Sequence, residues 1–243
     1  MHIHFIQHED FEAPGAYLQW AIQRQHTTSF SNVYQYDPLP QDCSTIDLLV
    51  IMGGPQSPDS SQQVYPYFDA PAEITLIRQC IHAGKAVVGI CLGAQLIGEA
   101  LSATYESSPE KEIGVFTIQL TADGLKDKNI QHFGEEIAVG HWHNDMPGLT
   151  PESKILAVSA GCPRQIVKYS DLVYGFQCHM ELNSEVIELL IQAEKDLYVK
   201  SQQHTFVQTP EQIRSYDYTE MNNRLFQFLD HLETTYRHTK HNP

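Results

Sequence analysis

The sequence predicts an α/β fold in which helices cover both faces of a doubly wound, mostly parallel sheet. Short apolar runs alternate with helical patterns through roughly the first hundred residues, which is the order of a parallel sheet with crossover helices. One run, residues 47–52, is almost entirely apolar, which is typical of a strand buried on both faces. A chain of 243 residues suits one α/β domain with an extension.

The first half follows this pattern element by element. Strands are predicted at His2–Gln7, within residues 28–36, at residues 47–52 and at Ala86–Ile90. Helices are predicted at residues 17–22, 71–82 and 92–101, and Gly84 ends the second of them as a C-terminal glycine does.

The second half is predicted as shorter strands followed by helices. The strands are expected at residues 115–120, 137–141, 155–159, 165–169 and 172–178. Residues 186–198 and 221–236 carry apolar side chains at three- and four-residue spacing, which predicts two amphipathic helices. We therefore expect a main domain at residues 1–183 and a helical C-terminal extension at residues 184–243 that packs on it.

Composition excludes several classes of protein. The formal net charge is −15 and no run of Lys or Arg is present, which argues against nucleic-acid binding. The N-terminus lacks a basic segment before an apolar one, and no stretch of roughly 18 apolar residues occurs, so no membrane association is expected. Five cysteines without CxxC spacing argue against disulfides or a zinc knuckle. A cytoplasmic location is expected.

A cysteine flanked by glycines follows the fourth predicted strand. Gly89-Ile90-Cys91-Leu92-Gly93 has the glycine spacing of a nucleophile elbow at a strand-to-helix turn. So sharp a turn leaves no room for Cβ atoms two residues to either side, and it exposes the sulfur where the helix dipole favours the reactive thiolate. Alone, the pattern also fits a buried structural cysteine between incidental glycines.

A histidine and a glutamate follow the last predicted strand. His179 and Glu181 project to the same side of an extended segment, and functional residues of such sheets gather at the carboxyl edge, where Cys91 also lies. A histidine can take the thiol proton while a carboxylate fixes its tautomer. A lone His-x-Glu is usually without consequence, but together with the elbow it predicts a catalytic set of Cys91, His179 and Glu181.

A glycine turn supplies the third part of the predicted site. Gly53-Gly54-Pro55 ends a buried strand at the same sheet edge, which would bring the Gly54 N–H beside the Leu92 N–H. Two such donors form an oxyanion hole for acyl transfer. The plain alternative is an ordinary strand-ending turn.

These motifs resemble those of the class I glutamine amidotransferases. The Gly-Gly-Pro turn, the elbow Gly-Ile-Cys-Leu-Gly-Ala-Gln and the segment Gly-Phe-Gln-x-His-x-Glu occur in the family's order, over roughly residues 3–181. The resemblance is closest to stand-alone relatives of the amidotransferase domain of GMP synthase. It implies a flavodoxin-like sheet and makes residues 1–183 the catalytic domain. Cys178 and Met180 depart from the more usual aromatic residue and proline around the histidine.

The resemblance also implies the reaction and the residues that carry it. Glutamine would lose its side-chain amide as ammonia through a γ-glutamyl thioester, without a cofactor or a bound metal. The residues carried over are Cys91 as nucleophile, His179 as base, Glu181 as its orienting group, Gly54 and Leu92 as oxyanion donors, and Gln95, Asn144 and Asp145 as substrate-binding residues.

Several alternatives stay open at this stage. No P-loop or synthetase segment occurs in the sequence, so an acceptor or synthetase partner protein is expected on another chain, and a homodimer is open. A γ-glutamyl peptidase or hydrolase acting on small γ-glutamyl compounds would use the same triad, and a non-catalytic regulatory protein could keep the fold. Cysteine α/β-hydrolases fit less well, because their acid precedes the histidine in the chain.

A metal site is the last alternative. His141, His143 and Asp145 alternate along a predicted strand, and two histidines with a carboxylate could hold iron or zinc. The competing interpretation, a hydrogen-bonding pocket wall, is favoured because the family resemblance already accounts for this segment.

Overall fold

The computed structural model describes residues 1–241, which form one mixed sheet with helices on both faces. The strands are β1 (His2–Gln7), β2 (Thr27–Asn32), β3 (Leu48–Ile51), β4 (Ala86–Ile90), β5 (Glu106–Leu120), β6 (Glu136–Met146), β7 (Lys154–Ser159), β8 (Ile166–Ser170), β9 (Val173–Phe176) and β10 (Phe206–Val207). The α-helices are α1 (Gly15–Gln23), α2 (Ala70–His82), α3 (Leu92–Ala100), α4 (Ser184–Ala193), α5 (Leu197–Gln203), α6 (Pro210–Arg214) and α7 (Thr219–His241). Short 3₁₀ helices lie at Val33–Gln35, Gly124–Lys126 and Gln131–Phe133.

The strand order is β10-β5-β7-β8-β9-β4-β3-β1-β2, with β6 paired to β5. The adjacent strands β2, β1, β3, β4 and β9 pair in parallel, in that order across the sheet. The pairs β5–β6, β5–β7, β7–β8 and β8–β9 are antiparallel. The predicted α/β fold with its mostly parallel sheet is therefore confirmed. No helix within residues 1–241 is both long and apolar enough to cross a membrane.

Alternate residues of the parallel strands build two cores, one on each face of the sheet. Val50 and Val88 belong to the core that α1 and α7 cover. Ile51 and Val87 belong to the core that α2 and α3 cover. Because side chains along a strand alternate between faces, a continuous apolar run is what a strand covered on both sides requires.

The long C-terminal helix α7 packs across the main domain. The Phe228 ring lies 5.2 Å from that of Tyr174 and 4.9 Å from that of Phe176. Asp230 accepts a hydrogen bond of 2.8 Å from the Trp20 indole of α1. These contacts agree with an extension that covers its own domain, and the division at residue 183 stays a proposal.

Three predicted elements differ from those observed. The single helix predicted at residues 186–198 is wrong: it is interrupted between α4 and α5, where Asp196 has a φ of 59°. The strands predicted at residues 115–120 and 137–141 are the C-terminal end of the longer strand β5 and the N-terminal half of the longer strand β6. Their outer parts are polar and pair with each other across a hairpin, so apolar periodicity could not reveal them.

Candidate active site

Cys91 occupies a sharp turn between β4 and α3. Its φ of 50° and ψ of −109° are unusual for a residue with a Cβ, and its N–H donates to the Phe176 carbonyl at 2.7 Å. A Cβ on Gly89 would lie 2.3 Å from the Gly93 carbonyl group, and one on Gly93 would lie 2.1 Å from the Ile51 oxygen. Both glycines are therefore required by close packing, and the thiol is held at the carboxyl edge of the sheet.

His179 and Glu181 form a buried pair beside the elbow. Nδ1 of His179 lies 2.6 Å from Oε1 of Glu181, and backbone bonds of 2.8 and 3.1 Å tie His179 to Gly140 of β6. Burial acts to lower the pKa of His179, but the Glu181 carboxylate and the neighbouring Cys91 sulfur raise it well above its ordinary value. Nε2 of His179 has no other partner within residues 1–241. This atom is therefore available to the Cys91 thiol.

The backbone around Glu181 is fixed from two sides. Its carbonyl accepts from the Ala16 N–H at 2.9 Å, and a Cβ on Gly15, which has a φ of +45°, would lie 2.2 Å from that oxygen. From α7, Asn222 donates to the Met180 and Leu182 carbonyls at 2.8 and 3.0 Å. The first turn of α1 and the C-terminal helix thus both hold the acid in place.

The glycine turn after β3 lies against the start of α3. A Cβ on Gly54 would come within 3.1 Å of the Leu92 side chain, so these two residues are in contact. His8 lies 3.0 Å from the Gly53 carbonyl through Nδ1 and 2.9 Å from Glu73 through Nε2. Burial acts to lower the pKa of His8, but Glu73 and the Gly53 carbonyl raise it. Buried polar contacts therefore fix the position of the turn.

A small cavity of about 270 Å³ opens beside this turn. The carbonyl of Trp142, one of its lining residues, lies 3.8 Å from the Cys91 sulfur. The cavity is lined by Phe11, Glu12, Gly54, Pro55, Lys111, Ile113, Trp142, His143, Asn144, Leu190, Ala193 and Glu194. A larger cavity of about 810 Å³ lies between α7 and residues 123–129, and it shares no residue with the elbow.

The three predicted substrate-binding residues lie in three different places. Asn144 lines the small cavity. Gln95 is buried behind the elbow, where its amide donates to Gln177 at 3.2 Å, and Asp145 lies opposite Ser107 at the outer part of the hairpin. Gly54 and Asn144 therefore line the cavity and Leu92 follows Cys91 in the elbow, whereas neither Gln95 nor Asp145 lines the cavity.

Glu12 is a site residue that the sequence did not single out. Its carboxyl is buried beside Gly53 and close to His179. Burial, together with the like charge of Glu181, raises the pKa of Glu12 from 4.5 to about 7 against the opposing effect of His179. No local motif marks such a residue, since its burial depends on how the loop after β1 meets the turn after β3.

The sequence left a grouping of His141 and His143 with Asp145 open as an alternative, but the carboxylate that the structure brings to the two histidines is that of Glu112. Both histidines face Glu112 of β5, and the ligand-type atoms of these three buried residues lie within 4.8 Å of one another. Glu112 pairs with His143 across the hairpin, a proximity that spacing along one strand could not reveal.

Comparison with known proteins shows the family to which this chain belongs. Glutamine amidotransferase class-I is the family that matches, over residues 16–194. The glutamine amidotransferase-like protein YfeJ of Salmonella typhimurium is 51% identical over 232 residues, which are 96% of this chain and 97% of that protein. The crystal structure of SMU.1228c is 50% identical, with a TM-score of 0.95 over 96% of this chain and 100% of that one.

A larger enzyme is related through one part of its length. The glutamine-hydrolysing GMP synthase of Caldanaerobacter subterraneus is 28% identical over 70% of this chain, and the match covers 31% of that protein. The family match spans well over half of the chain and includes the elbow and His179. The chain belongs to the class I glutamine amidotransferase family.

Proposed function

We propose that this protein hydrolyses the side-chain amide of glutamine through a γ-glutamyl thioester on Cys91. The observation that carries the proposal is the buried His179–Glu181 pair at 2.6 Å, with Nε2 of His179 free beside the strained Cys91 elbow. A nucleophile, a base and an orienting carboxylate in this relation support acyl transfer.

In the acylation step the Cys91 sulfur attacks the amide carbon of glutamine after His179 has taken the thiol proton. The N–H groups of Gly54 and Leu92 would stabilise the negative oxygen of the tetrahedral intermediate. His179 then gives its proton to the leaving nitrogen, and ammonia departs as the thioester forms. Glu181 stabilises the imidazolium throughout and fixes its tautomer.

In the second step a water molecule attacks the thioester carbon. His179 accepts a proton from the water, the carbon–sulfur bond breaks, and the proton returns to the sulfur. Glutamate leaves and the free thiol is regenerated. The cavity of about 270 Å³ lies just below the usual range of roughly 300–1,000 Å³ for small-molecule sites, which supports an amino acid as the substrate.

The fate of the ammonia depends on a partner. The GMP synthase relative is named as glutamine-hydrolysing and is much longer than the matched region. We infer by this analogy that an acceptor or synthetase partner on another chain uses the ammonia and raises a weak intrinsic glutaminase activity.

Asn144 in the cavity wall would contact the substrate amino acid, and Gln95 would act from behind the elbow.

A γ-glutamyl hydrolase is the second candidate, and two observations favour it. Glu73 holds His8, which contacts the Gly53 carbonyl, so contacts within this chain already fix the glycine turn next to Gly54. In addition, Leu190, Ala193 and Glu194 at the end of α4 line the cavity. The chain's own extension thus closes one side of the cavity where a leaving group would lie.

Steady-state kinetics with purified protein distinguish the two reactions. The assay compares release of ammonia from glutamine with release of amine from a panel of γ-glutamyl amides and dipeptides, with the Cys91→Ser variant as the blank. The amidotransferase proposal predicts that glutamine has the highest kcat/KM. Robust turnover of a γ-glutamyl peptide, with glutamine a much poorer substrate, would transfer the assignment to the hydrolase.

A further inference from the structure

A second cluster of reactive side chains lies at the base of the β5–β6 hairpin. Glu112 comes from β5, and His141 and His143 come from β6. The side chains of all three are completely buried. Two imidazoles and a carboxylate form the donor set of many zinc sites, and the proposed hydrolysis makes no use of this cluster.

The distances between the donor atoms agree with a tetrahedral ion. Oε2 of Glu112 lies 3.2 Å from Nε2 of His143 and 3.6 Å from Nδ1 of His141, and the two nitrogens are 3.4 Å apart. Zinc–ligand bonds of about 2.0–2.2 Å give tetrahedral edges of roughly 3.3–3.6 Å. A Zn²⁺ ion would therefore contact all three atoms with little adjustment.

Hydrogen bonds outside the cluster orient two of its three donors, His141 and Glu112. Nε2 of His141 lies 3.2 Å from the Phe116 carbonyl, an acceptor only, so this nitrogen carries the proton and Nδ1 directs its lone pair into the cluster. Oγ of Ser159 lies 2.8 Å from both oxygens of Glu112, which share its one hydroxyl proton. Such outer partners fix the tautomer of a histidine ligand and the orientation of a carboxylate ligand.

The fourth corner is occupied by the end of the Gln165 side chain. Its amide nitrogen lies 2.6 Å from Oε2 of Glu112 and 3.1 Å from Nε2 of His143, and its oxygen has no partner within residues 1–241. The two ends of an amide are assigned from the surrounding hydrogen bonds. Rotated by half a turn, Gln165 would offer its oxygen as the fourth ligand of a closed site.

We propose that Glu112, His141 and His143 bind one Zn²⁺ ion in a closed structural site, which goes beyond the expectation from the sequence that no metal is bound. The ion would join β5 to β6 directly under the cavity wall, because His143 belongs to the cluster and also lines the cavity. It would thereby hold the neighbouring Trp142 carbonyl and Asn144 in position. The competing account is a metal-free hydrogen-bonded network around the Glu112 carboxylate.

The test uses the full chain with Cys91→Ser, because the Cys91 thiol and His179 could themselves bind zinc. The protein is expressed in zinc-supplemented medium and dialysed, and its zinc content is measured by inductively coupled plasma mass spectrometry. We expect one zinc per chain, retained through dialysis because the site is closed, and an X-ray absorption spectrum with imidazole and oxygen ligands only. A chain without zinc, or one whose zinc has sulfur ligands, would overturn the proposal.

Matched variants connect the zinc to this cluster. Glu112→Gln in the same background is expected to bind zinc at least about tenfold more weakly, whereas Asp145→Asn, which changes a carboxylate outside the cluster, should leave the zinc content unchanged. After the zinc has been removed with a chelator, added Zn²⁺ should raise the Tm of the Cys91→Ser protein and of Asp145→Asn but not that of Glu112→Gln. Undiminished zinc in a folded Glu112→Gln variant would contradict the assignment. Because every variant lacks the nucleophile, the result is independent of the proposed hydrolysis.

Discussion

Replacing Glu12 by glutamine should stabilise the protein at neutral pH and remove part of its pH dependence. The Glu12 carboxyl is buried beside the glycine turn, and burial raises its pKa from 4.5 to about 7. The folded protein therefore binds this proton more tightly than the unfolded chain does. Stability is highest below the unfolded value and is lost as the pH rises through the folded one.

The structure sets the size of the effect. One pKa unit corresponds to about 1.4 kcal/mol, so the difference between 4.5 and about 7 gives an upper bound of about 3.5 kcal/mol. Because glutamine cannot ionise, Glu12→Gln should exceed the wild-type protein in unfolding free energy by up to that amount at pH 8. The difference should shrink progressively towards pH 5.

Urea denaturation of both proteins at intervals between pH 5 and pH 8 measures this difference directly. The control is Glu152→Gln, which changes an exposed turn carboxylate and should track the wild-type curve throughout. A difference between Glu12→Gln and wild type that is constant across the pH range would refute the reasoning, because it would mean that Glu12 keeps the same charge in both states.

Three further predictions concern the site and its support. His179→Ala should abolish turnover, whereas Glu181→Ala should retain a kcat on the order of a hundredfold higher than that of His179→Ala. The reason is that the base acts on the reacting atoms and the acid only orients the base, so equal losses in the two variants would contradict this division. Gly93→Ala should prevent stable folding because its Cβ would lie 2.1 Å from a backbone oxygen. The control Gly84→Ala, whose Cβ would meet open space at a φ of +65°, should lower the unfolding free energy measured in urea by only about 1–2 kcal/mol. Truncation before Ser184 should abolish activity or alter assembly in size-exclusion chromatography, and a truncated chain that stayed soluble, active and unchanged in assembly would show that the extension has neither role.

The sequence predicts the parallel half of the sheet closely, for a physical reason. β1 and β4 occur at the predicted bounds His2–Gln7 and Ala86–Ile90. β4, which is buried on both faces, is a continuous apolar run between turn residues. The order of the triad residues also follows from sequence, since an elbow needs glycines at fixed spacing and His179 and Glu181 are only two residues apart. Local chemistry of this kind is visible without a structure.

Features that depend on contacts between distant segments were missed. Glu112 meets His143 only through the register of the β5–β6 hairpin, and Glu12 becomes buried only where two loops meet. Asn222 lies in α7, yet it holds the backbone on both sides of Glu181. The sequence indicates an amphipathic helix there, but it cannot say which carbonyl groups that helix reaches.

The central claim, a γ-glutamyl thioester on Cys91, is tested most directly by trapping that intermediate. Protein mixed with glutamine is quenched in acid within the first turnovers, and its intact mass and peptides are measured. We predict an adduct with the mass of one γ-glutamyl group on Cys91 alone, absent from Cys91→Ser, with Cys162 and Cys178 unmodified. An adduct on either of those cysteines, or continued ammonia release by Cys91→Ser, would contradict the account.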